Sequence, residues 1–129
     1  MNSHKYQGLG AIMLGISIAF GALGAHLLEK TLTPHYLDVW KTGCLYFSFN
    51  ALGMMFLGIR PDVGKIKQKT PVTMIIAGAF VFSVSLWLLA LNKQIHPSIT
   101  KLAIVTPFGG LAMIAGWIWL GTSLFRSKQ

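Results

Sequence analysis

Charge is what this chain has least of. Only 11% of its 129 residues are Asp, Glu, Lys or Arg, less than half the roughly 25% of a soluble domain. A small body has much surface for its volume, so a soluble protein this short needs a charged coat. With 53% hydrophobic residues, the chain cannot build one, and lipid is the expected covering. Acidic residues are rarer still. Glu29, Asp38 and Asp62 are the full set, and none lies inside an apolar run. Proton pumps and ion-coupled carriers normally set an ionised group at mid-membrane, so their absence here argues against both. The single cysteine, Cys44, excludes an intrachain disulfide and a thiolate metal cage, and it reads as a small core residue. His4, His26, His35 and His96 are scattered singly, without ligand spacing. There is no HExxH, no glycine-rich phosphate loop and no carboxylate pair, and no nucleophile stands beside a positioning base. No catalytic residue, cofactor or metal site is therefore expected, and the chain is not expected to be an enzyme.

What the chain does have is four apolar stretches of membrane-spanning length, about 20 residues each. They cover residues 8–28, 39–59, 71–91 and 102–125. Only short ends and connections remain, so the expectation is one all-α transmembrane domain over residues 1–129, an integral membrane four-helix bundle. Ala22-Leu23-Gly24 has the small-x-small look of a signal cleavage site. The apolar run before it is longer than a usual signal core, and the segment is expected to be retained. Prolines mark helix starts at Pro34, Pro71 and Pro97, with Thr33 and Thr70 as N-caps of the first two, and Pro61 closes the second helix. Pro107 alone falls inside a span, where it predicts a kink.

Basic residues set the orientation. Lys5, Arg60, Lys65, Lys67, Lys69, Arg126 and Lys128 share one side, and Lys30, Lys41, Lys93 and Lys101 the other. Seven against four places both termini in the cytoplasm. The net charge of +8 does not imply nucleic acid, because the loops are too short for a binding fold. Arg60, Lys65, Lys67 and Lys69 are expected to meet anionic lipid headgroups instead. Trp40, Trp87, Trp117 and Trp119 read as interfacial belts. Residues 10–23 align without gaps with 78–91, and five of the fourteen positions are identical, which suggests a duplicated hairpin.

Lipid tails are as apolar as leucine, so small residues and interhelical hydrogen bonds must hold such helices together. The candidate packing strips are Ala11, Gly15 and Ala19, continued by Gly21 and Ala25, on the first helix, and Gly109, Gly110, Ala112 and Gly116 on the fourth. Ser17, Ser48, Asn50, Ser83 and Ser85 lie near mid-depth. Asn50 and Ser83 are expected to meet, either as a clamp between helices or as part of a polar solute path. Nearer the outer face, His26, Glu29, Tyr46 and Thr106 form a second candidate cluster. Glu29, three residues past His26, shares its helical face, which makes the pair a candidate pH-responsive group.

"GALGAH" at residues 21–26, "WKTGCLYFSFNAL" in the second helix, "FSVSLWLLAL" in the third and "VTPFGGLAMIAGW" in the fourth resemble the DUF423 family, also labelled UPF0382. These are small bacterial four-helix inner-membrane proteins, with a related eukaryotic transmembrane protein. The resemblance covers nearly the whole chain. It implies four spans in a bacterial cytoplasmic membrane and no established activity. The recurring positions map to Gly21, Gly24, Ala25, His26, Trp40, Tyr46, Ser83, Thr106, Pro107, Gly109, Gly110, Gly116 and Trp117. Asn50 stands where histidine is usual and Val84 where glycine is common, and the first departure weakens any mechanism that needs a histidine in the second helix. The leading expectation is a non-enzymatic membrane protein acting through lipid or a membrane-protein partner, as an accessory subunit, a stability factor or a homo-oligomer. The alternative is an oligomeric carrier or channel for a small neutral or weakly polar solute. A membrane enzyme using His26 with Tyr46 or Glu29 is a weaker third reading.

Overall fold

The computed structural model describes residues 3–60 and 66–126, with the side chains of 66–68 left aside. Pro61, Lys65, Lys128 and the side chain of Lys67, which figure in the expectations above, lie outside what is described. The described chain is almost entirely helical, with α1 Ser3–His26, a 3₁₀ turn Leu28–Lys30, α2 Pro34–Ile59, α3 Ile66–Ala90, a one-turn α4 Asn92–Ile95, a 3₁₀ segment Pro97–Ile104 and α5 Thr106–Arg126. Four stretches are long and apolar enough to cross a bilayer: Ser3–Lys30, Pro34–Ile59, Lys69–Ala90 and Pro97–Arg126.

Several boundaries follow from local chemistry. Pro34 opens α2, and the Thr33 side chain accepts from the Tyr36 amide at 3.5 Å, as expected of an N-cap. The expected start at Pro71 is overturned, because α3 is already helical at Ile66 and Pro71 sits inside it. Membrane helices tolerate an interior proline where neighbouring groups re-satisfy the backbone. Pro97 begins a 3₁₀ segment capped by the His96 side chain, not an α-helix. Pro107 is therefore not inside a continuous α-helix but at the junction of this segment with α5. It occupies the second position of α5, where its missing N–H would have had no helical partner.

The helices are arranged in series. α1 packs along α2, α2 along α3, and α3 along α5, whereas no Cα of α1 comes within 8 Å of α3 or α5, nor any of α2 within 8 Å of α5, among the described residues. The inner helices accordingly bury 44% and 39% of their apolar windows and the outer two 17% each. Two hairpins, α1/α2 and α3/α5, meet along the α2–α3 seam.

The two hairpins are the same unit twice. A shift of 68 residues carries α1 onto α3, and a shift of 58 carries α2 onto α5. Gly10, where a Cβ would stand 2.6 Å from the Ala51 carbonyl oxygen and 2.9 Å from the Met55 nitrogen, becomes Gly78, where it would stand 2.7 Å from the Gly109 oxygen and 2.8 Å from the Met113 nitrogen. Gly58, pressed against Gln7 and the Ser3 carbonyl, becomes Gly116, pressed against Ile75 and the Pro71 carbonyl. The Ser17–Ser48 hydroxyl pair at 2.7 Å becomes Ser85–Thr106 at 2.8 Å. The repeat that five identities suggested is thus carried by matching contacts.

The packing strip on α1 differs from the expected one. Ala11, Gly15, Ala19 and Ala25 are exposed, Gly21 is half-buried, and a Cβ at Gly15 or Gly21 would meet nothing within 4 Å. The face against α2 is instead Tyr6, Gly10, Met13, Ser17 and Gly24. On α5, Gly109 and Gly116 do pack, Gly110 touches the Phe82 ring loosely, and Ala112 is half-buried. Two expected belt tryptophans are also interior. Trp40 and Trp87 are buried and join Phe20 and Phe47 in an aromatic group linking α1, α2 and α3, with ring centroids 4.5–6.1 Å apart.

Candidate functional site

Membrane helices close up where a side chain is missing or where a polar group finds a partner on another helix, and here the two coincide. Each of three tryptophans lies on a glycine of a neighbouring helix. Trp40 lies on Gly24, Trp87 on Gly43 and Trp117 on Gly53, with an added Cβ falling 2.5–2.9 Å from the nearest indole atoms. Trp40 Nε1 also donates to the Phe20 carbonyl at 2.7 Å. The second glycine of "GALGAH" is therefore a seat for an indole, while the first, Gly21, faces outward.

The mid-depth polar residues do not form one cluster. Ser17 donates to the Cys44 carbonyl at 2.7 Å and pairs with Ser48, tying α1 to α2. Ser85 pairs with Thr106 and donates to the Phe82 carbonyl, tying α3 to α5. The Ser83 hydroxyl is fully buried and, like Trp87 Nε1, has no hydrogen-bond partner. The expected Asn50–Ser83 contact is not made. Asn50 instead donates through Nδ2 to the Tyr46 carbonyl at 2.8 Å and the Met113 sulfur at 3.1 Å, while its Oδ1 accepts from Trp117 Nε1 at 2.9 Å. This amide joins α2 to α5, whose backbones do not approach each other, and so ties one hairpin to the other. Both of its N–H groups are used.

The expected outer cluster is likewise dispersed. His26 ends α1, and Glu29 belongs to the separate 3₁₀ turn. Both are exposed, and no hydrogen bond or ion pair joins them. Tyr46 is on the outer surface of α2, edge-on to Phe49 and Phe82, and Thr106 is engaged with Ser85 and the Leu102 carbonyl. No set of three His, Cys, Asp or Glu residues comes together among the described residues.

What the fold does create is a groove. Because α2 and α5 flank α3 with their backbones apart and meet only through side chains, a cavity of about 550 Å³ opens between them. Its lining is Tyr46, Phe49, Asn50, Phe82, Gly110, Met113, Ile114, Trp117 and Ile118. The walls are aromatic and aliphatic, Phe49 and Ile114 stand largely exposed toward lipid, and the one amide in the wall is already bonded. Gly110 leaves the wall open opposite Phe82. Sequence reading found Asn50, Tyr46 and Gly110 and missed Phe82, Met113 and the role of Trp117. The available signal was the amide itself, because an intramembrane amide must find a partner and an indole N–H is a donor that an apolar helix can carry.

The fold and this site define a class: a small four-span integral membrane protein, clamped by glycine seats and hydroxyl pairs, with an apolar groove on its lipid side. The chain belongs to the DUF423 family, described as a protein of unknown function, which matches residues 20–110. It is 36% identical to the UPF0382 membrane protein SH2409 of Staphylococcus haemolyticus, over 92% of this chain and 93% of that protein. It is 35% identical to the UPF0382 membrane protein YwdK of Bacillus subtilis, over 87% and 89%, and 36% identical to the UPF0382 membrane protein C1782.12c of Schizosaccharomyces pombe, over 79% and 86%. No solved structure matches. The four membrane-length helices and bacterial relatives named membrane proteins support a multi-pass protein of the bacterial inner membrane.

Proposed function

We propose that this protein is a non-enzymatic membrane component that works by holding an apolar chain, a lipid acyl tail, in the groove between α2 and α5. The observation that carries this reading is the pairing of an apolar cavity of about 550 Å³ with an amide whose donors are spent inside the protein. Such a lining offers dispersion contacts along its length and little for a polar solute to bond. Arg60 and Lys69, with Lys65 and Lys67, would meet anionic headgroups on the side richer in basic residues, which this reading takes as cytoplasmic. Such attraction is worth about 1 kcal/mol per cation near the surface.

The test uses a phosphatidylglycerol with a photoactivatable acyl chain in proteoliposomes, scored by mass spectrometry of labelled peptides. Labelling is expected to concentrate on Phe49, Ile114 and Ile118. Gly110→Leu is the matched variant, because a Cβ there sits 3.6 Å from the Phe82 ring, an ordinary contact, and the rest of the leucine fills the groove. Groove labelling should fall about tenfold. Equal labelling of both proteins, or labelling spread evenly over every exposed face, sinks the reading. The solute-carrier alternative predicts solute-driven swelling of the same proteoliposomes. Of its proposed polar route, Asn50, Ser17, Ser48, Ser85 and Thr106 are already hydrogen-bonded inside the protein, and Ser83 alone has no partner.

A further inference from the structure

The internal repeat leaves two faces without their counterparts. Within the chain, α2 of the first hairpin packs on α3 of the second. The repeat therefore supplies a second α3-like face, on α1, and a second α2-like face, on α5. On α3, the seam with α2 is made by Ala79, Ser83 and Trp87, all buried. Their counterparts on α1 are Ala11, Gly15 and Ala19, all exposed. On α2, the seam uses Phe47, Met54 and Leu57, buried at 0%, 0% and 7% exposure. Their counterparts are Val105, immediately before α5 and at 41% exposure, and, on α5, half-buried Ala112 and exposed Ala115. The positions that make the inner seam thus recur at both ends of the series, with side chains no larger and less covered.

Small residues alone would suit lipid as well as protein. What identifies the occupant is that the repeat-equivalent pair of faces, on α3 and α2, already bind each other once in this chain. We propose that copies of this protein assemble head to tail, α5 of one packing on α1 of the next as α2 packs on α3 within each. The smaller side chains let the backbones approach closely, which is how helices associate where burial gives no drive. The contact joins two different faces, so it continues from copy to copy until a ring closes. It also explains why the Ala11–Gly15–Ala19 strip points away from the chain's own core. The inference is independent of the groove, which a lipid can fill whether or not copies pair.

The seam predicts specific neighbours. Phe47 meets Phe80 with ring centroids 5.1 Å apart, and their counterparts are Val105 and Ile12. In a Cys44→Ala background, the Ile12→Cys/Val105→Cys protein in native-like vesicles should form intermolecular disulfides under mild oxidation, giving a ladder of dimers and larger species on a non-reducing gel. Ile12→Cys/Ile114→Cys, with the second thiol on the opposite side of α5, should give less than a tenth as much. A second measurement avoids the cysteines. A Cβ at Gly15 meets nothing within 4 Å, so Gly15→Leu is expected to keep the fold, checked by circular dichroism, and native mass spectrometry from lipid nanodiscs should show multimers of the wild type reduced at least tenfold in the variant. A wild type that is monomeric in nanodiscs overturns the proposal. So does equal cross-linking by the two thiol pairs, or strong self-cross-linking through a lone Gly15→Cys, which would mean that like faces pair with like.

Discussion

The two hairpins have the same internal seam, α1 on α2 and α3 on α5, and diverge at the outer end. Along the seam, Gly10 and Gly78, Gly58 and Gly116, and the two hydroxyl pairs occupy equivalent places with nearly equal distances, although most side chains around them differ. Toward the outer end the two hairpins part. α2 continues outward from Ser48 to Pro34, whereas Thr106 is the first residue of α5 and is preceded by 3₁₀ helix. The paired hydroxyls are 31 residues apart in the first hairpin and 21 in the second. The difference separates what a membrane hairpin requires from what it tolerates. Close backbone approach admits only residues without bulk, and a hydroxyl at mid-depth needs a partner. A connection near the interface has water and headgroups to satisfy it and is free to change length.

The largest expected effect tests the seam itself. Gly10→Leu and Gly78→Leu each drive a side chain into a carbonyl oxygen and a backbone nitrogen on the facing helix. Each should cost about 1–3 kcal/mol, as overpacking does, in detergent-titration unfolding followed by circular dichroism. Equal losses sharpen the comparison, and tolerance at one site alone breaks it. Next is Asn50→Leu, which removes the hydrogen-bonded link between α2 and α5 and strands the Trp117 N–H. Intramembrane bonds average ~0.6 kcal/mol with maxima near 1.7, and this loss should fall in the upper part of that range in the same titration. Smaller still, Ser17→Ala and Ser85→Ala should each lose about 0.6 kcal/mol and match one another, since they are the same residue of the repeat. Ser83→Ala should change stability least, or raise it slightly, because its hydroxyl has no partner to lose and an unsatisfied buried group is itself a cost. A loss at Ser83 as large as at Ser17 would show that the seams within and between hairpins are held alike.

Much of the fold was legible in order of residues. Four apolar runs gave four spans, Thr33-Pro34 gave a correct start, and five identities pointed to a duplication that the contacts bear out. The candidate site was legible in part. Asn50 stands out in sequence because it is an amide in lipid, and its partner does not, because Trp117 looks like any interfacial indole. Pro71 and Pro107 misled for a related reason. A proline marks where a backbone donor is missing, and whether that begins, interrupts or precedes a helix depends on how its neighbours are satisfied.

The sequence by itself determined the solvent, the number of crossings and the lack of an ionised centre, because hydropathy is a sum over local residues that needs no partner to evaluate. Only the tertiary structure decided which way α1 faces. Gly10, Ser17 and Gly24 on one side and Ala11, Gly15 and Ala19 on the other are equally small along the chain. The side that turns inward is the one whose neighbour offers a carbonyl ridge, a hydroxyl and an indole at matching heights. That match is a property of two helices together, and no single helix carries it.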